Sequence, residues 1–499
     1  MTVVLAIDAG TTGVRTVAVG ADGAPRDYAY REFPQHFPRS GWVEHDPDDI
    51  WAAVQATLTD VVAALDGETV AGIGITDQRE TVVVWDRSTG RPRHRAIVWQ
   101  DRRTASRCDD LRAEGVEPLI RERTGLVLDP YFSATKLEWL LREGGVAADA
   151  DLAFGTVDSW LLWNLAGVHA TEPSNASRTM LFDIDRGVWS DELLDIFGVP
   201  RSCLPDVRPS SGRFGVTDPD QAAGLRVPVS GIAGDQQAAL FGQACFSPGM
   251  TKNTYGTGSF VLVNLGDSHP PPVDGLLTTV AWQLGETTTY AMEGSIFVTG
   301  AAVQWLRDGL GIIDASSEAG PLAASVPDPD GVVFVPAFTG LGSPYFDPYA
   351  RGAVFGLTRG TTRAHLTRAV VEAMAWQTAD VIDAITAAAG IPLTELRVDG
   401  GASAMDVLCQ FQADVLGVTV RRPVATETTA LGAASLAGIA EGVWASPADA
   451  ASAWREDAAF LPAPLPRADE RRADWRRGVD RARNWVDPDL IARAIDRMR

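Results

Sequence analysis

Residues 3–19 read Val3-Val4-Leu5-Ala6-Ile7-Asp8-Ala9-Gly10-Thr11-Thr12-Gly13-Val14-Arg15-Thr16-Val17-Ala18-Val19. The aliphatic, β-branched run 3–7 predicts a strand ending at Asp8, and 16–19 predicts a second strand. Gly10 and Gly13 predict a tight turn between them. Glycines let a backbone approach a phosphate closely, and free N–H groups with the hydroxyls of Thr11 and Thr12 can hold its oxygens. Asp8 beside them can hold Mg²⁺ through water. An ordinary hairpin turn uses the same residue types, so this motif alone leaves both readings open. The arrangement returns mid-chain, where Thr254-Tyr255-Gly256-Thr257-Gly258 precedes the apolar run 260–263. The recurrence suggests two similar domains, each offering a phosphate-sized turn. Pro248 and Gly249 interrupt the pattern, which divides the chain into residues 1–247 and 248–499.

Working outward, Asp22-Gly23 turns the chain into a third strand over 28–33. Asp46 and Pro47 predict a helix start. Trp51, Val54, Leu58, Val61 and Leu65 then recur at helical spacing. Strands over 70–76 and 81–85 follow, and the continued alternation of strands and helices predicts an α/β class. In the second half, 362–389 predicts a long helix ending at Gly390 and 396–398 a strand. The loop Asp399-Gly400-Gly401-Ala402-Ser403 comes next, and 429–440 predicts a small-residue helix that packs closely on a partner. Residues 467–499 predict a charged, helical tail.

The chain has 499 residues, 45% of them apolar, so it can bury substantial cores. Its net charge of −22 repels phosphate backbones and anionic membranes, which argues against nucleic acid as a partner. Lys136 and Lys252 are the only lysines among 43 basic residues. Cys108, Cys203, Cys245 and Cys409 are too widely spaced for a zinc or redox pair, and four in so long a chain fit a reducing compartment. No apolar run reaches membrane-spanning length, and the N-terminus reads as a strand rather than a leader, so a cytoplasmic location is expected.

Several residues have a chemical and a structural reading side by side. The Gly256–Gly258 and Asp399–Gly401 loops have the same two readings as the first turn, and three such loops at strand ends suggest two lobes clamping one nucleotide. Arg79-Glu80 sets donors beside acceptors, which suits neighbouring hydroxyls, or forms a surface ion pair. Asp235, in Gly231-Ile232-Ala233-Gly234-Asp235-Gln236-Gln237, reads as a helix N-cap or as a general base taking a proton from an attacking hydroxyl. Trp99, Tyr131 and Phe260 read as core aromatics or as packing for the carbon face of a small polyol.

Long blocks of the chain resemble the FGGY family of carbohydrate kinases, and within it the members that phosphorylate glycerol. The blocks are GWVEHD (41–46), ITDQRET (75–81), AIVWQDRRT (96–104), TGLVLDPYFSATK (124–136), FGTVDSWLL (154–162), NASRTMLF (175–182) and GIAGDQQAALFGQ (231–243). KNTYGTG (252–258), VPAFTGLG (335–342), YARGAVFGLTRG (349–360) and RVDGGA (397–402) continue the series. The resemblance runs from Val4 to about Trp485. It implies two actin-like domains of the ribonuclease H type with the active site in the cleft. It implies that Arg79, Glu80 and Tyr131 bind glycerol hydroxyls, that Asp235 is the base with Gln236 beside it, and that Trp99 and Phe260 line the carbon backbone. Thr11, Thr12, Gly13, Arg15, Thr257, Gly300, Gln304, Gly401 and Met405 fall at nucleotide-binding positions, and Asp8 and Asp235 near Mg²⁺. The implied reaction is ATP-dependent phosphorylation of glycerol to sn-glycerol 3-phosphate, by a homo-oligomer, dimer or tetramer.

This sequence departs from the family pattern mainly around the nucleotide. Ala9, Gly13 and Val14 stand where Gln and Ser are common, and Met405 and Asp406 where two Asn are common. The alternatives are an FGGY kinase for another polyol or a ketose, and an actin-like assembly protein that binds nucleotide without phosphorylating anything.

Overall fold

The computed structural model describes residues 1–487. Strand β1 (Thr2–Ala9) runs one residue past its predicted end at Asp8. It pairs antiparallel with β2 (Gly13–Gly20), which pairs antiparallel with β3 (Pro25–Glu32). The chain then forms helix α1 (Pro47–Ala64), where the Asp46 carboxylate caps the Asp48 N–H as the sequence predicts. Val54, Leu58 and Val61 are buried on its inner face, joined by Ile50, Ala53 and Thr57, while Trp51 and Leu65 are only partly covered. Strand β4 (Thr69–Asp77) returns parallel to β1.

Nine further strands complete one continuous sheet. They are β5 (Ser211–Val216), β6 (Pro228–Gly234), β7 (Met250–Tyr255), β8 (Ser259–Gly266), β9 (Leu277–Leu284), β10 (Thr287–Ile296), β11 (Glu395–Asp399), β12 (Val420–Pro423) and β13 (Glu456–Phe460). Their spatial order is β13-β12-β11-β7-β8-β10-β9-β5-β6-β4-β1-β2-β3. The weak sequence repeat has a clear counterpart here. Stepping along β3-β2-β1-β4-β6-β5, the pairings are antiparallel, antiparallel, parallel, parallel and antiparallel. Stepping along β10-β8-β7-β11-β12-β13 gives the same series. Each glycine-threonine turn therefore sits at the same place in the same topology, joining β1 to β2 in one set and β7 to β8 in the other. The two sets meet through β9, which pairs with β5 at Ser211 and Leu284.

Helix α2 (Asp235–Gly242) leaves the end of β6 directly, with no intervening loop. The long helix α4 (Arg363–Ala389) ends at Gly390 in the left-handed region, as predicted. α3 is the short helix Gly300–Gln304. The small-residue helix is α5 (Thr428–Ala440), and its close partner is the sheet of the first half: Ala430, Ala433, Ala434 and Ala437 pack with Val4, Ala6, Val17 and Val19. The tail forms α6 (Ala468–Ala482) with Trp475, Val479 and Ala482 buried, so it is not simply solvated; the rest of the predicted tail, 488–499, lies outside the described residues. The four cysteines are free and buried. Among the described residues no helix is long and apolar enough to cross a membrane.

Candidate active site

The two turns are built alike. The Gly10 N–H donates to the Gly13 carbonyl at 3.0 Å, and the Gly256 N–H to the Gly258 carbonyl at 2.8 Å. The backbone packs tightly at Gly13, where a Cβ would lie 2.5 Å from the Arg31 carbonyl on β3. Around the first turn, Trp99 donates its indole N–H to the Thr11 hydroxyl at 2.9 Å, and Gln78 donates to the Gly10 carbonyl at 3.0 Å. The second turn docks on α3, whose Gly300 N–H donates to the Gly256 carbonyl at 3.1 Å. Gly401 opens a helical turn with free space about it, and Gly400 before it takes a left-handed φ of 81° hard against Tyr255.

Between the turns lies a buried charged centre. The Arg79 guanidinium reaches Glu293 at 2.6 Å and 3.1 Å, Gln237 at 3.2 Å and the Tyr131 hydroxyl at 3.4 Å. It lies 3.4 Å from Asp235 and 3.7 Å from Glu80. Arg178 donates to Glu80 at 2.6 Å and to Glu293 at 3.1 Å. Glu80 is held at φ 63°, a strained backbone for a non-glycine residue and one that recurs at functional sites. Although burial pushes the Glu293 carboxyl up, Arg178 and Arg79 outweigh it and hold it at about 2. Asp235 is the open member, its side chain 29% exposed against 2% for Arg79. Burial raises the Asp235 carboxyl, while Arg79, Lys252 and the Gln236 N–H pull it back. A partly accessible carboxylate backed by donors is suited to taking a proton from a bound alcohol.

The N-terminal domain profile of the FGGY family of carbohydrate kinases matches residues 3–242, and the C-terminal domain profile matches 251–441. This chain belongs to the FGGY family of carbohydrate kinases. A glycerol kinase of Trichlorobacter lovleyi is 55% identical over 98% of this chain and 100% of its own length. One from Symbiobacterium thermophilum is 55% identical over 97% of this chain and 99% of its own. Among solved structures, Plasmodium falciparum glycerol kinase with ADP superposes with a TM-score of 0.92 at 33% identity, covering 97% of this chain and 98% of that one. A xylulose kinase from Rhodospirillum rubrum gives 0.85 at 26% identity, covering 95% and 98%. The fold is the two-domain FGGY kinase fold.

In this FGGY kinase the site residues fall in two groups. Arg79, Glu80, Tyr131 and Asp235 converge, with Phe260 under the Arg79 guanidinium at 5.9 Å and Trp99 edge-on to Tyr131 at 5.5 Å. Thr11, Thr12, Gly13, Thr257 and Gly401 lie on the turns described, Gly300 begins α3 and Gln304 is exposed at its end. Arg15 ion-pairs with Glu427 just before α5. Asp235 is not an N-cap: Gly234 occupies that position and Asp235 is the first helical residue, its carboxylate bound to the Gln236 N–H at 2.7 Å. Met405 packs toward Gly320, and Asp406 pairs with Arg422 at 2.9 Å.

Mg²⁺ takes one or two carboxylates and completes its shell with water and phosphate oxygens. Among the described residues no three His, Cys, Asp or Glu side chains form a cluster that could hold a metal. Asp8 and Asp235 fit the smaller requirement. Burial pushes the Asp8 carboxyl up to about 7, Asp235 adds to the rise, and only Arg15 opposes it. A buried carboxyl raised by a neighbouring carboxylate is one that a cation would restore to its charged form.

Arg178, Gln237, Lys252 and Glu293 belong to the site and carry no role in the sequence reading. Arg178 and Lys252 sit inside the blocks that resemble the family, while Gln237 adjoins Gln236. Glu293 had no local signal: it is one acidic residue in an ordinary strand, 214 residues from Arg79.

Proposed function

We propose that this kinase transfers the γ-phosphoryl group of ATP to a terminal hydroxyl of glycerol, giving sn-glycerol 3-phosphate and ADP, as an ATP:glycerol 3-phosphotransferase. The observation that carries this is the convergence of Arg79, Glu80, Tyr131 and Asp235 on one accessible point, in a chain whose glycerol kinase relatives match it end to end. Arg79 and Tyr131 offer donors, and Glu80 an acceptor, to the two hydroxyls that do not react. The third hydroxyl gives its proton to an Asp235 oxygen. Its oxygen then attacks the γ-phosphorus, the bond to the β–γ bridging oxygen breaks, and ADP leaves with that electron pair. Phe260 and Trp99 cover the carbon chain and exclude water that would compete as acceptor. Thr11, Thr12, Gly13 and Arg15 from one turn, and Thr257, Gly300, Gln304, Gly401 and Met405 from the other lobe, hold the nucleotide. Mg²⁺ when bound near Asp8 and Asp235 supplies charge neutralisation at the phosphate oxygens.

The lobes are assigned as residues 1–247, for polyol and phosphate, and 248–499, for nucleotide. The reaction is placed in the cytoplasm, where ATP is available, and the enzyme is read as a homo-oligomer, dimer or tetramer, a point that light scattering measures directly. Coupled ADP release with a panel of polyols and ketoses tests the activity. Glycerol should give the highest kcat/KM, and the product should be consumed by a dehydrogenase specific for sn-glycerol 3-phosphate. A higher kcat/KM for xylulose or another ketose would transfer the assignment to that substrate. ATP turnover that ignores every polyol would favour an assembly protein.

A further inference from the structure

Both lysines of this arginine-rich chain are completely buried, and each places its ammonium among defined acceptors. Lys136 donates to the carbonyls of Pro130, Tyr131 and Phe132 at 2.7–2.8 Å and so shapes the segment that carries Tyr131. Lys252, on β7 of the second half, reaches across to α2 of the first. Its ammonium donates to the side-chain oxygen of Gln236 and to the Thr254 hydroxyl at 3.0 Å. An ammonium has three protons and no acceptor, so only the oxygen end of the Gln236 amide can face it. The nitrogen end must then face the other way. There the Gln236 side chain helps to hold the Asp235 carboxylate in its charged form, and the Gln236 backbone N–H binds that carboxylate at 2.7 Å. A flipped amide would set its oxygen against that carboxylate and repel it.

We infer that Lys252 is a positioning residue for phosphoryl transfer: it fixes which end of Gln236 faces Asp235, and thereby orients the Asp235 carboxylate toward the polyol. This deepens the function proposed above and rests on Asp235 acting as its base. Other charges facing Lys252 are Asp399, Asp235, Arg79 and Glu293. Burial lowers its ammonium to about 8, so it stays largely charged at neutral pH. A guanidinium could not take its place, because a planar fork cannot put one compact donor between two neighbouring oxygens. That accounts for a lysine at this point in a chain that uses arginine elsewhere.

The test is a double-mutant cycle with Lys252→Met and Gln236→Ala, read separately as kcat, KM for the polyol and KM for ATP. Misorientation of a catalytic group costs on the order of tenfold to a hundredfold. K252M should lose that much kcat with KM for ATP within about twofold, and in the Q236A background the same substitution should cost less than about twofold. Thr254→Val keeps the buried charge and serves if K252M does not fold; it should lower kcat severalfold, again only when Gln236 is present. Wild-type kcat in either lysine-site variant, or the same loss with and without Gln236, would overturn the inference. The wild-type polyol panel is read first. If it selects a substrate other than glycerol, the cycle is run with that substrate, so an error in the substrate and an error about Lys252 give different results.

Discussion

As the proposed general base, Asp235 has to meet two opposed requirements. It must be ionised to accept a proton, and it must sit in a site dry enough for phosphoryl transfer to outrun hydrolysis. Burial raises its carboxyl above the ordinary value, and Arg79, Lys252 and the Gln236 N–H work against that rise. Asp235→Asn keeps the size and removes the basic oxygen, so kcat should fall by roughly 10²–10⁴ while calorimetry still shows polyol and ATP binding. A folded D235N enzyme with near-normal kcat would refute the assignment. Glu293 carries the opposite burden, as the anion shared by two buried arginines. Glu293→Gln leaves excess positive charge in a dry site, and breaking such a network costs about 3–5 kcal/mol. The pH dependence has a definite sign. The folded state holds Glu293 at about 2, below its ordinary 4.5, so its contribution is full above pH 4.5 and is lost as pH falls from there toward 2. The gap in Tm between wild type and E293Q should stay constant from pH 8 to 5 and narrow below 4.5.

At the scale of elements, two helices touch without side chains between them. A Cβ on Gly432 of α5 would overlap the Ala238 carbonyl of α2, and one on Gly242 of α2 would overlap the Thr428 carbonyl of α5. Neither backbone can withdraw, because α2 begins at Asp235 and α5 is laid against the sheet. Gly432→Ala should therefore destabilise the protein by about 1–3 kcal/mol or more, measured by urea unfolding, despite alanine's better helix propensity. A neutral or stabilising G432A would mean the helices can part. This contact also marks the limit of what the sequence reveals. The small residues of 429–440 announced close packing, and the glycine-threonine turns announced the strand ends where ligands approach, because both signals are local. The partner of the small-residue helix was not legible, since it lies hundreds of residues earlier in the chain. The Arg79-Glu80 pair was visible as two adjacent charges, but its meaning depends on Arg178 and Glu293, which only the folded sheet brings to it. Met405 falls at a nucleotide-binding position by resemblance alone, and its packing toward Gly320, far earlier in the chain, has no local signal.

For the whole molecule, the repeated topology suggests two lobes that could be cut apart, yet the interactions between them run the other way. Arg79 and Arg178 come from the first half, and Glu293, their shared partner, from the second. Lys252 of the second half holds Gln236 of the first. Helix α5, encoded in the second half, covers Val4, Ala6, Val17 and Val19 on the first half's sheet. Separating the lobes would thus leave two arginines without Glu293 and uncover an apolar sheet face together. Each is costly, an unpaired buried charge by several kcal/mol and a bared aliphatic side chain by about 1.5–3 kcal/mol. Neither lobe can melt while the other stays folded, so scanning calorimetry should show one endotherm whose calorimetric and van't Hoff enthalpies agree. Residues 1–247 expressed alone should bind a hydrophobic dye or aggregate, and supplying residues 248–499 in trans should restore solubility and activity together. Two resolved endotherms, or a soluble, dye-silent 1–247 fragment, would show that the lobes are independent and that the network across the cleft contributes to catalysis alone.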